Sequence, residues 1–164
     1  MRLFLMKNIF AENKYHSTMK NIFSDTPEES AGYLLSRVYA LRSKKMNTEL
    51  SPLGINYVHY NLLAALYWLQ LKGEKVNQML LINTTKLDKS VVSNVIAKMV
   101  KEGYLNRTED ENDTRAKLVK LTAKGEDLTE RAVTIVTRVD NEFIGNKDME
   151  PLVKYLKDIL NNNK

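Results

Sequence analysis

A helix predicted between Asp88 and Glu102 would carry an unusual polar surface. At about 100° per residue, one side of this helix collects the apolar side chains Val92, Val95, Ile96 and Met99. The other side collects Ser90, Ser93, Asn94, Ala97 and Lys101. Short donors and acceptors permit close approach to base edges in the major groove of DNA, which long side chains would prevent. The pattern favours a helix that reads DNA; the alternative is a solvated face that happens to be small.

Basic and polar side chains on and around this surface are the candidate DNA contacts. They are Lys86, Lys89, Ser90, Val91, Ser93, Asn94, Lys98, Arg115 and Lys117. Lysines at the fringe could reach phosphates, which adds affinity that depends on salt rather than on base sequence. Arg115 follows a polar, acidic stretch and could enter a narrow minor groove, where the potential is most negative. The alternative for this stretch is a polar hairpin tip without a ligand.

Bulk composition permits a nucleic-acid partner and argues against catalysis. The chain has 164 residues, a formal net charge of +5 and a pI of about 9.3, which is compatible with a polyanionic partner. It contains no cysteine, which excludes disulfides, thiolate catalysis and cysteine-based zinc sites. Its two histidines, His16 and His59, lack the spacing of a metal-binding helix. No catalytic pair and no Gly-rich phosphate loop is evident, so we expect neither an enzyme nor a metal or other cofactor.

The apolar stretches of the chain are too short to cross a membrane. The longest, Leu62–Leu69, is well below the length of a spanning helix. The opening sequence MRLFLMKNIF lacks the small-residue cleavage pattern of a secretory signal. We therefore expect a cytoplasmic protein without a membrane partner. Residues 1–24 carry no strong pattern, although the pentapeptide MKNIF occurs twice within them.

Periodicity and capping signals predict the order of the secondary structure. The first helix follows a start signal at residues 24–30 and is expected to fade near Lys44–Lys45. Further helices are predicted at 56–71, 76–83, 88–102, 122–143 and from 148 onward, with strands at 104–109 and 116–122. In the second strand, Leu118 should face away from Lys117 and Val119. A helix pair joined by a tight turn and followed by a hairpin is the layout of a winged helix-turn-helix.

The segment LDKSVVSNVIAKMVKEGYLNRTEDENDTRAKLVKLTAKG, residues 87–125, resembles the MarR-type winged-helix transcription regulators. The wing pattern of that family, D-x-x-D-x-R followed by Leu-Thr and Gly, is matched by Asp110, Asp113, Arg115, Leu121, Thr122 and Gly125. The resemblance implies a mainly α fold with a small two- to three-stranded β-wing, in which a winged helix-turn-helix joins a helical dimerisation region. It also implies a ligand-responsive repressor that binds a pseudo-palindromic operator in double-stranded DNA. The alternative is a winged-helix module that binds another protein and no nucleic acid.

A homodimer follows from the resemblance. The resemblance implies a variable leader at 1–24, an N-terminal dimerisation helix at 25–53, the DNA-binding domain at 54–122 and C-terminal dimerisation helices at 123–164. The apolar stripes Leu128–Phe143 and Leu152–Leu160 suit this arrangement, because one small winged domain should not cover both. The resemblance also suggests that Asp88 pairs with Arg115 and so ties the reading helix to the wing.

The resemblance further implies a small aromatic or apolar anionic effector. The candidate pocket residues are Arg37, His59, Tyr60, Tyr67 and Trp68. Each has a simpler interpretation: aromatic residues at helical spacing pack in a core, and His59 is a polar group satisfied near a hinge.

Overall fold

The computed structural model describes residues 30–109 and 117–163. The chain divides into two compact units, residues 1–43 and residues 44–164. Its helices are α1 (Ala31–Leu50), α2 (Tyr57–Leu71), α3 (Gln78–Thr85), α4 (Lys89–Lys101), α5 (Ala123–Ile144) and α6 (Glu150–Asn162); its strands are β1 (Leu105–Glu109) and β2 (Lys117–Leu121). This order confirms the predicted mainly α fold with a small wing. Among the described helices, none has the length and apolar character needed to cross a bilayer.

The wing is an antiparallel hairpin with one additional bridge. Leu105 lies opposite Leu121, and Glu109 lies opposite Lys117. An isolated bridge joins Asn77 to Leu118 on the other edge of β2, which accounts for the predicted range of two to three strands. The pairing register confirms that Leu118 lies on the opposite face of the strand from Lys117 and Val119. Lys117 is exposed, whereas Val119, two residues further along the same face, is fully buried because the base of the hairpin packs into the core.

Helix α2 occupies the centre of the second unit and contacts α3, α4, α5 and β2. Asn56 caps its N-terminus, and its apolar residues Leu62, Leu63 and Leu66 are fully buried. The predicted end of the first helix near Lys44–Lys45 is wrong. Helix α1 continues to Leu50, because Met46 and Leu50 lie in the same core and are completely buried.

Helix α5 begins at a strong cap and packs on α2. The Gly125 N–H donates to Thr122 Oγ1 at 3.0 Å, which confirms the predicted cap. The apolar stripe of α5 is buried within its own chain at Leu128, Ala132, Val136 and Val139. Helix α2 covers this stripe, whereas the helix that carries the second stripe, Leu152–Leu160, has no buried residue, which agrees with the expectation that one winged domain does not cover both.

Gly125 marks a close approach that leaves no room for a side chain. A Cβ at this position would overlap the carbonyl oxygen of Tyr104. That oxygen also accepts from the Thr122 N–H at 3.0 Å and from Thr122 Oγ1 at 3.2 Å. The turn after α4 and the start of α5 are thus held together where only glycine fits.

We expect Gly125→Ala to lower the free energy of unfolding by about 1–3 kcal/mol, because the methyl group must displace main chain. Urea denaturation measures this. Gly32→Ala in α1 is the matched control, since its added Cβ meets no atom within 4 Å. The control should be unchanged or up to about 1 kcal/mol more stable through helix propensity. Equal stability of Gly125→Ala and the wild type would contradict the close approach.

Candidate nucleic-acid interface

The rotation of α4 about its axis decides which of its side chains can meet a partner. Val92, Ile96 and Met99 are fully buried, and these residues tie α4 to the core. Ser90 and Asn94 on the opposite side are exposed. Ala97, Lys98 and Lys101 are exposed as well, whereas Val91 and Ser93 are half-buried at the edge of the surface. The short polar surface therefore lies on the outside of the molecule, accessible to a ligand.

The turn before α4 places two lysines beside this surface. Lys86 ends α3 with a left-handed φ of 56°, and its N–H donates to the Ile82 carbonyl at 2.9 Å. Thr85 closes the last turn of α3 by donating to the Leu81 carbonyl at 2.7 Å. Lys86 and Lys89, on either side of the turn, are both exposed. Asp88 occupies the N-cap position of α4, but its side chain accepts no capping hydrogen bond there.

The C-terminal end of α4 is tied to α5 by a lysine. Lys124 Nζ donates to the Glu102 carbonyl at 2.9 Å and lies 4.3 Å from the centre of the Tyr104 ring. A cation at this end also complements the helix dipole. Lys98 Nζ lies 4.0 Å from Glu102 Oε1, a surface pair of small energetic weight. Lys98 therefore keeps most of its capacity to attract an anion.

One face of the hairpin carries core residues at its base and charged residues further out. Alternation along a strand puts Arg107, Glu109 and Lys117 on the same face as buried Leu105 and Val119. Lys117 Nζ lies 3.8 Å from Glu109 Oε1. The burial of the core residues therefore turns this charged set toward α3 and α4 rather than away from them.

A crevice of about 380 Å³ opens where α3, α4 and the hairpin meet. It is lined by Asn77, Gln78, Met79, Ile82, Lys89, Arg107 and Lys117. Arg107 Nη2 donates to Gln78 Oε1 at 3.1 Å. Sequence reasoning predicted Lys89 and Lys117 and missed Arg107 and Gln78. The two-residue spacing of Leu105 and Arg107 in β1 was a usable signal that both side chains share one face of the strand. The contact of Arg107 with Gln78 could not be seen in the sequence.

The tip of the wing lies outside the described residues. Arg115 and the family-pattern residues Asp110 and Asp113 fall in this part of the chain. The pairing of Asp88 with Arg115 and the insertion of Arg115 into a minor groove therefore stay predictions.

His59 completes a capping box at the start of α2. Its Nδ1 accepts from the Asn56 N–H at 3.2 Å, while its own N–H donates to Asn56 Oδ1 at 2.9 Å. Burial lowers the pKa of His59, and the positive charge of Lys98 lowers it further against a weaker opposing effect of Glu102. The imidazole thus has a structural use in its neutral form.

The other candidate pocket residues have separate surroundings. Tyr60 stacks on the Tyr57 ring at a centroid distance of 5.9 Å. Tyr67 donates from its hydroxyl to Glu130 Oε1 at 2.9 Å, which links α2 to α5 and raises the pKa of the phenol. Trp68 is 51% exposed.

These residues do not form one cluster on α2. His59 and Trp68 are nine residues apart in sequence and so lie on opposite sides of the helix. Lys72 Nζ lies 3.6 Å from the Trp68 ring centre, which accounts for that exposed ring by a cation–π contact. Arg37 belongs to the first unit, where its guanidinium carbon lies 5.7 Å from the centre of the Tyr33 ring.

Comparison with known proteins gives consistent matches. A family model described as an ArnR1-like winged-helix domain matches residues 50–139. The HTH-type transcriptional regulator SarZ of Staphylococcus epidermidis is 30% identical over 121 residues, which cover 73% of this chain and 79% of SarZ. A MarR-family transcriptional regulator from Rhodococcus sp. RHA1 superposes with a TM-score of 0.70 at 26% identity, covering 83% of this chain and 93% of that one. CouR from Rhodococcus jostii RHA1, crystallised with p-coumaroyl-CoA, gives 0.71 at 26% identity, with 83% and 92% covered.

We expect His59→Gln to flatten the dependence of stability on pH. The pKa of His59 is near 6.5 in the unfolded chain and lower in the folded chain. Between these two pKa values the unfolded state therefore binds more protons. The contribution of neutral His59 is fully present above pH 6.5 and is lost as the pH falls through the lowered folded-state pKa. Glutamine can serve in the capping box without titrating. Urea denaturation at several pH values compares the variant with the wild type, and parallel profiles would contradict the burial of His59.

Proposed function

The chain belongs to the MarR-type winged helix-turn-helix transcriptional regulators, which are DNA-binding proteins and not enzymes, and on this premise we propose that it is a ligand-responsive repressor. It binds a pseudo-palindromic operator in double-stranded DNA as a homodimer. The observation that carries the proposal is the orientation of α4, whose apolar side is buried while Ser90 and Asn94 lie exposed on the opposite side.

In this proposal α4 enters the major groove of the operator. Ser90, Ser93 and Asn94 contact base edges, with Val91 at the side of the same surface. The lysines at the fringe contact phosphates: Lys86, Lys89, Lys98 and Lys117. Arg115 reaches the adjacent minor groove from the wing, and its pairing with Asp88 orients it. The exposure of the short side chains supports close approach to the bases.

The proposed dimer uses the apolar surfaces that the chain itself leaves uncovered. No residue of α6 is buried, and its side chains Leu152, Ile159 and Leu160 are between 42% and 67% exposed. In the first unit, α1 exposes Leu34 and Val38 in the same way. Exposed apolar side chains on one helix in this number favour a protein partner, and a second copy of the chain satisfies each helix by twofold symmetry. Two α4 helices about 34 Å apart would then read a palindrome.

The proposed effector is a small aromatic or apolar anion. Its contacts come from the candidates Arg37, His59, Tyr60, Tyr67 and Trp68, of which one small molecule meets only a subset, because His59 and Trp68 lie on opposite sides of α2. The likeness to CouR, which was crystallised with p-coumaroyl-CoA, supports ligand response in general and identifies no ligand for this chain. An effector would release DNA only if it binds one spacing of the two reading helices better than another.

Selection of genomic DNA fragments by the full chain, followed by a salt titration of binding, tests the central proposal. Binding that weakens steeply with salt and converges on a palindromic sequence is the expected result. The rival function is a winged-helix protein-interaction module. Recovery of no preferred sequence, together with weak binding that salt does not change, would favour that rival.

We expect Ser93→Glu to weaken specific DNA binding by about 10- to 100-fold, because a carboxylate would meet base edges and phosphates where a hydroxyl bound. Fluorescence anisotropy with the selected duplex measures it. Asn106→Glu on the outer face of β1 makes the same change of charge at an exposed polar residue and should bind normally. If Ser93→Glu bound the duplex with wild-type affinity, the proposal that α4 contacts the bases would be contradicted.

We expect Ile159→Glu combined with Leu160→Glu to raise the dissociation constant of the dimer by at least about tenfold, because each side chain loses apolar burial. Sedimentation equilibrium measures the change. Asn161→Glu on the opposite side of α6 is the matched control and should stay dimeric. A double variant that dimerises like the wild type would place the interface elsewhere.

A further inference from the structure

We infer that the crevice between α3, α4 and the hairpin is a binding site for one backbone phosphodiester of DNA, with Arg107 as its main contact. Gln78 acts as a positioning residue for Arg107. The inference rests on the proposed DNA binding and deepens it, because it assigns a phosphate contact to the base of the wing rather than to its tip.

The charge of the crevice suits a phosphodiester. Lys89, Arg107 and Lys117 come from three different elements, and among the described residues its lining contains no carboxylate. Glu109 pairs with Lys117 from outside this lining, at 3.8 Å, with side chains that are 67% and 58% exposed. Such an exposed pair is weak and competes poorly with an incoming phosphate.

The partner of Arg107 orients the guanidinium without neutralising it. Gln78 is uncharged, and its amide oxygen accepts one hydrogen bond from Arg107 Nη2 at 3.1 Å. A guanidinium has five N–H donors in a planar fork, so one fixed bond orients the others for the paired oxygens of a phosphate. An aspartate or glutamate in place of Gln78 would have cancelled the charge that the site needs.

The position of the crevice favours a phosphate of DNA over a free anion. Lys89 lines the crevice and directly precedes Ser90 on the polar surface of α4. A DNA strand that borders the groove read by Ser90 and Asn94 would therefore pass the mouth of the crevice. Met79 and Ile82 add apolar side chains to one wall of the crevice, beside the three cations.

The test measures the salt dependence of binding between the full-length dimer and the selected duplex. Each phosphate that is no longer neutralised reduces the slope of log affinity against log salt by about 0.9, so Arg107→Ala should reduce it by about that amount per protomer, and Lys117→Ala, which removes a secondary contact to the same phosphate, by less. Lys120→Ala is the matched control: it removes the same charge from the opposite face of β2. Its slope should equal that of the wild type, and an equal fall in all three variants would overturn the site.

A double-mutant cycle tests the role of Gln78. Gln78→Leu should weaken binding several-fold when Arg107 is present and should have no further effect in the Arg107→Ala background. A loss that is the same in both backgrounds would show that Gln78 does not act through Arg107. Circular dichroism of each variant separates these results from misfolding.

Two further measurements distinguish a phosphate of DNA from a free phosphorylated ligand. They also distinguish a failure of this inference from a failure of the proposed function. Inorganic phosphate is titrated against the DNA-free protein with thermal unfolding as the readout. Stabilisation that needs Arg107, together with a wild-type salt slope in Arg107→Ala, would assign the crevice to a free phosphorylated ligand and overturn the inference. If Ser93→Glu abolishes binding while the crevice variants keep the wild-type slope, the inference alone fails; if the wild type selects no DNA, the proposed function fails with it.

Discussion

Burial of Val92, Ile96 and Met99 sets the rotation of α4, and the surface that this protein offers to a partner depends on it. A helix is rigid about its axis, so three anchored side chains determine the direction of all the others. Exposing one of them would cost about 1.5–3 kcal/mol, which makes other rotations unfavourable. Ser90 and Asn94 face outward as a consequence of apolar packing and need no interaction of their own to hold them there.

The hairpin follows the same principle with a period of two residues. Val119 and Leu105 are buried, so the residues beyond them on the same face, Arg107 and Lys117, must turn toward α3 and α4. The base of the wing therefore has a role of its own, because it places the cations Arg107 and Lys117 beside α4. The close approach at Gly125 maintains this geometry, since it joins the end of α4 to the start of α5.

Within the second unit, the last turns of α1, from Lys44 to Leu50, are linked to α5 through a chain of ion pairs. Arg138 Nη2 lies 2.6 Å from Glu49 and Arg138 Nη1 lies 3.1 Å from Glu142, while Lys45 Nζ lies 2.8 Å from Glu142. Hydrogen bonds to Lys45 and Arg138 lower the pKa of Glu142, and those to the two carboxylates raise the pKa of Arg138. Exposed pairs add little stability singly, so their main effect is to hold Lys45 and Glu49, within the second unit, beside α5.

The amino-acid sequence by itself determined the features that depend on neighbours along the chain. Periodicity and caps act within about one helical turn, so the two sides of α4 and the cap at Thr122 were predictable. Tertiary structure decided what depends on contacts between distant segments. The hydrogen bond from Arg107 to Gln78, the cover that α2 gives to the stripe of α5, and the extension of α1 to Leu50 all join residues that only the packed core brings together. Local sequence specifies which side of an element is apolar, but not which other element will cover it.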